Sequence, residues 1–261
     1  MKTALLFALP LLASCKQGGA PTVESSTSQV AVVAPSGAAL STASTANALP
    51  GTGAPVATIS EAPGQSANSQ GPWNFDTEKA GAPPSGFKFG RTGHGREGRW
   101  SVIAAPEAPS KPNVLAQLDA DSTDYRFPVA FVDESSFKDV RLSVACKPIS
   151  GNVDQGCGLV WRLRDADNYY LTRANALEDN VNLYHVKDGR RIQFAGWQGK
   201  VASNVWHKLR VDARAERFEV YFDEKKVLDA KDTTFVTAGK VGVWTKADSV
   251  IQFDDLSAAP L

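Results

Sequence analysis

Residues Gly156–Arg191 read GCGLVWRLRDADNYYLTRANALEDNVNLYHVKDGRR. Along Gly158–Arg164 the side chains alternate, with Leu159, Trp161 and Leu163 on one face and Val160, Arg162 and Arg164 on the other. Asp165–Asn168 is turn chemistry, because Asp and Asn bond back to nearby backbone and tolerate left-handed geometry. Tyr169–Leu177 forms a second run, Glu178-Asp179-Asn180 a second turn, and Val181–Val186 a third run closed by Asp188-Gly189. Period-2 hydrophobicity punctuated by Asx and Gly predicts an antiparallel meander. Arginines, asparagines and tyrosines interrupt these runs, which predicts a wet sheet face able to hold a ligand.

Outward from this stretch the pattern repeats. Phe87–Phe89, Trp100–Ala104, Val114–Leu118, Phe127–Val132 and Phe137–Cys146 precede it as strands. Gln193–Trp197, His207–Ala213, Phe218–Phe222, Lys226–Asp229, Val241–Thr245 and Val250–Leu256 follow. No segment of useful length has helical periodicity. Many short strands separated by turn residues predict an all-β sandwich or barrel. The chain has 261 residues, and the folded part is expected to be a single domain over 72–261.

Formal net charge is zero and no basic stripe occurs, which argues against nucleic acid as a partner. Residues 1–14 carry Lys2 and a short apolar run from Ala4 to Ala13, too short to span a bilayer and typical of a leader. The leader ends Leu12-Ala13-Ser14-Cys15, which resembles the bacterial lipobox. That resemblance implies lipidation at Cys15, attachment to a membrane through the lipid anchor only, and export to the bacterial cell envelope. Lys16 follows the cysteine where an inner-membrane retention signal would place Asp, and resemblance to proteobacterial sorting implies the outer membrane as the expected destination. Residues 15–71 are dominated by Ser, Thr, Ala, Gly, Pro and Val with few charges, the composition of a disordered tether. A coil of that length spans about 40 Å. Two further cysteines, Cys146 and Cys157, stand near the ends of neighbouring strands; an exported chain could pair them or leave them as buried thiols.

GLVWRLRDADNYYLTRANALEDNVNLYHVKDGRR, VWHKLRV and AGKVGVWTKADSVIQFDDL together resemble the 3-keto-disaccharide hydrolase domain family of the concanavalin-A-like lectin/glucanase superfamily. The resemblance implies a jelly-roll sandwich of two antiparallel sheets that binds sugars on its concave face. Its implied substrate is an oligosaccharide or 3-keto-glycoside, cleaved by elimination and rehydration. That reaction needs a base near C2 and hydrogen-bond donors to the enolate oxygen at C3.

The residues that suit this chemistry are Arg173, Tyr184, Glu178 and Asp248 as catalytic candidates. Arg162, Tyr170, Asn175, Trp244 and Lys246 are the substrate-binding candidates. If Asp179-Asn180 is a two-residue turn, Asn175 pairs with Tyr184 and Arg173 shares their face, while His185 points away. A retaining glucanase is disfavoured, because no Glu-x-Asp-x-x-Glu strand supplies a carboxylate pair. No His/Cys cluster suggests zinc; Asp248 and Asp254 are candidates for a structural Ca²⁺. The alternative function is a non-catalytic carbohydrate-binding or cell-surface interaction module of the same fold.

Overall fold

The structure, a computed structural model, describes residues 70–261. The leader, Cys15 and nearly all of the expected tether lie outside the described residues. Within them the chain forms fifteen strands, numbered here along the sequence, and no α-helix. The first, β1 (Gln70–Trp73), begins two residues ahead of the expected domain start.

The strands build two sheets. The eight-stranded sheet runs β13 (Lys225–Lys231), β12 (Arg217–Phe222), β11 (His207–Arg214), β6 (Val140–Ser150), β15 (Val250–Pro260), β4 (Asn113–Gln117), β3 (Trp100–Ala104), with β1 also paired to β15. The seven-stranded sheet runs β10 (Arg190–Gln198), β9 (Asn180–Lys187), β8 (Asn168–Asn175), β7 (Gly156–Asp165), β14 (Lys240–Thr245), β5 (Arg126–Val132), β2 (Phe87–Gly93). Every pairing is antiparallel. The chain crosses between sheets several times, as between β6 and β7, and this gives the expected all-β jelly-roll sandwich.

Alternation explains the core. Leu159 and Trp161 of β7, Tyr170 of β8 and Leu183 of β9 face Leu142, Val144, Val211 and Phe253 of the opposite sheet. Trp161 stacks on Tyr170 at 5.5 Å between ring centroids, and Phe218 packs on Tyr170 at 4.7 Å. Each large apolar side chain buried in this way contributes roughly 1.5–3 kcal/mol. Cys146 of β6 and Cys157 of β7 form a disulfide. They do not face each other across a hairpin: each strand belongs to a different sheet, so the bond joins the two layers.

The alternation of β7 fails after Trp161. Its register against β8 shifts between Trp161 and Asp165, and Arg162 takes a left-handed φ of 48°. Val160 and Leu163, three residues apart, therefore share the outer face of the sheet. Arg162 turns inward to the sandwich edge, against Phe218 and Tyr170.

The seven-stranded sheet is strongly curled. Flat strands lie about 4.8 Å apart, which would separate β10 from β5, five strands away, by roughly 24 Å. Yet the Arg191 guanidinium of β10 lies 4.5 Å from the Phe127 ring of β5 and 5.7 Å from the Trp244 ring of β14. The outer face of this sheet is thus a concave trough with its own cluster of buried side chains.

Candidate functional site

On β8, Arg173 and Asn175 project to the concave face; on β9, Asn180, Asn182 and Tyr184 do the same. Arg173 pairs with Asn182, Asn175 with Asn180, and Leu171 with Tyr184. The connection is longer than two residues. Asn175 Oδ1 accepts the backbone N–H of Leu177 at 2.9 Å and of Glu178 at 3.3 Å, an Asx turn that carries the chain through Asp179 at φ 51°. The expected pairing of Asn175 with Tyr184 is therefore displaced to Asn180, an even shift of four positions along β9. An even shift keeps every side chain on its expected face.

Arg173 is the centre of the polar cluster. Its Nη2 donates to Glu178 Oε2 at 2.7 Å and its Nη1 to Asn180 Oδ1 at 2.8 Å. Its Cζ lies 5.6 Å from the Tyr184 ring centroid. Only 3 % of the side chain is exposed, and Nε is buried without a partner. Burial opposes the charge, but Tyr184, Asp154 and Glu178 outweigh it and hold the guanidinium pKa above its ordinary value. Glu178 is shifted the other way. Its partial burial favours the neutral acid, yet Arg173 and Asn180 hold its carboxyl below the usual range.

The second acid is Asp154, fully buried in the β6–β7 connection. Its Oδ1 accepts from Asn175 Nδ2 at 3.1 Å, and Lys246 Nζ lies 3.1 Å from its Oδ2 and 2.6 Å from Asp124. Burial raises the Asp154 pKa, opposed by Arg173 and Lys246. Gly156 keeps the approach open: a Cβ there would stand 2.8 Å from Asp154 Oδ1. The loop that carries Asp154 is pinned by Asp248, whose carboxylate accepts the backbone N–H of Asn152 at 2.7 Å and of Val153 and Asp154 at 3.0 Å.

At the far end the trough is aromatic. Tyr169, Phe127, Trp244 and Tyr184 line it, and Trp244 Nε1 donates to Tyr169 Oη at 3.2 Å. Arg191 covers them, 4.7 Å from the Tyr184 ring, with Nη1 buried and unpartnered. The β9–β10 turn is tied down by Tyr125, whose Oη donates to Gly189 O at 3.0 Å and accepts the Arg191 N–H at 2.8 Å. Turn and tyrosine together close this end of the trough.

The structure brings together Arg173, Asn175, Glu178, Tyr184 and Lys246 from the sequence candidates. It does not bring Arg162 or Tyr170 to them. Arg162 is carried away by the irregularity in β7 and donates to Lys138 O, Phe235 O and Ala215 O at 2.6–2.8 Å. Tyr170 lies in the sandwich core, with its hydroxyl on Asp232 at 2.7 Å. Trp244 is on the concave side but is fully buried, so it supports the floor instead of offering a stacking platform. Asp248 spends its oxygens on backbone N–H groups, which removes it as a base and makes it a positioning residue. His185 points away, toward Asp232 at 3.1 Å.

A Ca²⁺ at Asp248 and Asp254 does not fit. Asp254 accepts the Ser110 N–H at 2.8 Å and hydroxyl at 2.9 Å, so both carboxylates already face donors. Among the described residues no group of three or more His, Cys, Asp or Glu is placed to hold a metal ion.

Asp154, Asn180, Asn182 and Arg191 were not singled out by the sequence. Asp154 sits in an irregular loop with no motif around it. Arg191 closes the quoted stretch, but only the curl of the sheet carries it over residues four and five strands away.

No family model matches the chain. Over 83 residues, 31% of its length, it is 31% identical to the levanase of Bacillus subtilis (strain 168), and the matched segment spans 12% of that enzyme. Among solved structures, it is similar to the carbohydrate-binding module CBM66 from Bacillus subtilis, with a TM-score of 0.53 and 22% identity, covering 67% of this chain and 95% of the module. It is also similar to the exoplasmic/lumenal domain of VIP36 in a Ca²⁺/Man-bound form, with a TM-score of 0.51 and 14% identity over 76% of this chain and 91% of that domain. The described part of the chain is thus an all-β jelly-roll sandwich of two antiparallel sheets, the architecture shared by that module and that domain.

Proposed function

We propose that the domain is a carbohydrate-binding module whose ligand sits in the concave trough over Arg173. One observation carries this reading. A guanidinium outside the hydrophobic core is almost wholly buried and has one unpartnered nitrogen, within a cluster of carboxylate, amide and phenol groups. Burying such a charge costs several kcal/mol unless its partners are good. A face that keeps one among hydroxyl-matching groups is suited to a polyol. The planar fork of Arg173 with Glu178, and Asp154 with Lys246, offers alternating donors and acceptors for adjacent sugar hydroxyls. The segment shared with levanase makes levan the first ligand to try.

The test is calorimetric titration of the full chain with levan and levan-derived oligosaccharides. Arg173→Ala should weaken binding roughly 10- to 100-fold, the worth of one charge-assisted hydrogen-bonding group, while the circular dichroism spectrum stays native. Undiminished affinity in Arg173→Ala refutes the placement of the ligand.

A second reading, cleavage of 3-keto-glycosides, is favoured by one specific feature. Glu178 and Asp154 flank the same guanidinium with pKa values displaced in opposite directions, the pattern of an acid and base pair. In this reading Glu178 takes the C2 proton while Arg173 and Tyr184 stabilise the enolate oxygen at C3; the C1–O bond then breaks, the departing oxygen takes a proton, and water adds across the enone, its hydroxyl to C1 and a proton to C2. Incubation with a 3-keto disaccharide and chromatography of the released sugar decides it: no release above background leaves the binding module alone. The same proposal places the domain on a membrane through lipid at Cys15. Fatty-acid labelling should mark the wild type and not Cys15→Ser.

A further inference from the structure

The outer face of the eight-stranded sheet is largely sealed by its own charges. Arg141 bonds Asp212 through two nitrogens at 2.9 and 2.6 Å, Arg210 lies 3.7 Å over the Tyr221 ring, and Arg217 and Lys226 share Asp229. One part of this face is open. A groove of about 770 Å³ lies there, within the usual size of small-molecule sites.

Its floor is small and polar. Ser143 of β6 and Ser257 of β15 face each other with hydroxyls 2.9 Å apart, and Ala145 lies beside them. One wall is apolar. Pro109 and Trp206 line the groove, and Trp206 is held by packing on Ala105, Ala108 and Val114. A register shift in β15 between Asp254 and Ser257, with Asp255 at φ 48°, presents the Asp255 side chain to the same groove. While Asp254 is taken by Ser110, the Asp255 carboxylate has no hydrogen-bond or ion-pair partner among the described residues. The cation of the groove, Lys208, is already 3.0 Å from Glu224.

We propose that this groove is a second carbohydrate site, separate from the trough over Arg173, that takes one or two units of a neutral glycan. The apolar face of a sugar ring would lie on Trp206 and Pro109. Its hydroxyls would donate to Asp255 and exchange hydrogen bonds with the serine pair. The surroundings exclude the other occupants. β6 and β15 are interior strands bonded on both sides, so a peptide finds no free edge to extend. Asp223, Glu224 and Asp255 outnumber Lys208 around the groove, which disfavours anionic ligands. Two sites on opposite sheets would let one domain bridge two chains of a polysaccharide or hold one chain twice.

The experiment is ¹⁵N–¹H NMR of the full chain, reading the Trp206 indole signal, which is assigned by its loss in Trp206→Phe. The probes are levan, inulin, laminari- and cello-oligosaccharides, with a uronate oligosaccharide and a cationic peptide as controls. At least one neutral probe should shift this signal equally in wild type and in Arg173→Ala. Ala145→Trp, which fills the groove from a solvent-facing position, should weaken that response at least tenfold and leave any response of the Arg173 trough intact. Asp255→Asn should weaken it less. A signal unmoved by every neutral probe overturns the proposal. So does a response that disappears in Arg173→Ala, or one given by the peptide or uronate instead. Because the readout does not depend on Arg173, failure here is distinguishable from failure of the concave-face reading.

Discussion

Arg162→Met should behave as a folding defect and leave the proposed sugar binding untouched. The wild-type guanidinium is 1 % exposed and donates to three backbone carbonyls: Lys138 at 2.8 Å, Phe235 at 2.7 Å and Ala215 at 2.6 Å. A fourth contact, to Asp139 at 3.3 Å, is long, and that carboxylate is one-third exposed and can recover water. Three hydrogen bonds from a charged donor, at about 1.5 kcal/mol each, sum to about 4.5 kcal/mol. Removing the buried charge returns part of its desolvation cost, but it strands three buried carbonyls without donors, so the net loss is about 3–5 kcal/mol. For a domain of this size each kcal/mol lowers the Tm by about 2–4 °C, which places the variant roughly 6–20 °C below wild type. Denaturant melts followed by tryptophan fluorescence measure the loss, and titration with levan at low temperature measures binding in the folded fraction. A variant within 1 kcal/mol of wild type, or one that loses binding at full stability, would refute the assignment of Arg162 as a brace.

The Cys146–Cys157 bond closes a short loop, with a sequence separation of 11, so Cys146→Ala/Cys157→Ala should lose about 3 kcal/mol in urea melts. Equal midpoints, or free thiols titrated in the native wild type, would count against it. Acid should weaken the domain through Asp248. Despite its burial, the three backbone N–H groups hold its carboxyl below the ordinary range. Its contribution is therefore complete above that range and lost as pH falls through the lowered value, below about pH 4. Asp248→Asn should lower stability at pH 7 and flatten the decline between pH 5 and pH 2; an unchanged acid limb would exclude the role.

The strands were legible because period 2 is written in the sequence wherever one face is buried. Every run read as a strand overlaps one, although Phe137–Cys146 starts three residues ahead of β6 and Tyr169–Leu177 ends two beyond β8, and the added β1 lies in a Gly-Pro segment without alternation. The grouping of Arg173, Asn175 and Tyr184 on one face was also legible, although their pairing was not. The Asx turn at Asn175 lengthens the connection by an even step, and parity is blind to even steps. The inward turn of Arg162 was illegible for the complementary reason. An arginine at positive φ in mid-strand carries no sequence marker, and the irregularity inverts everything after it. Trp244 and Arg191 depended on curl, a property of the whole sheet that no local window contains. Asp154 depended on a loop whose shape is set by Asp248, ninety-four positions away.

The two ties on β7 have a mechanical consequence. Near its start the strand is bonded covalently to β6 of the other layer, and five residues later, about 16 Å along, Arg162 anchors it to the β11–β12 turn of that same layer. A sandwich held at one point can shear, its layers sliding and rotating about the pin. Held at two points along one strand, it cannot. β8, which carries Arg173, is laid directly on this immobilised rail through an unbroken register from Gly156 to Trp161. The trough is therefore a rigid template: a sugar seated there, as proposed, would cost little ordering entropy, and ill-fitting epimers would meet walls that do not yield.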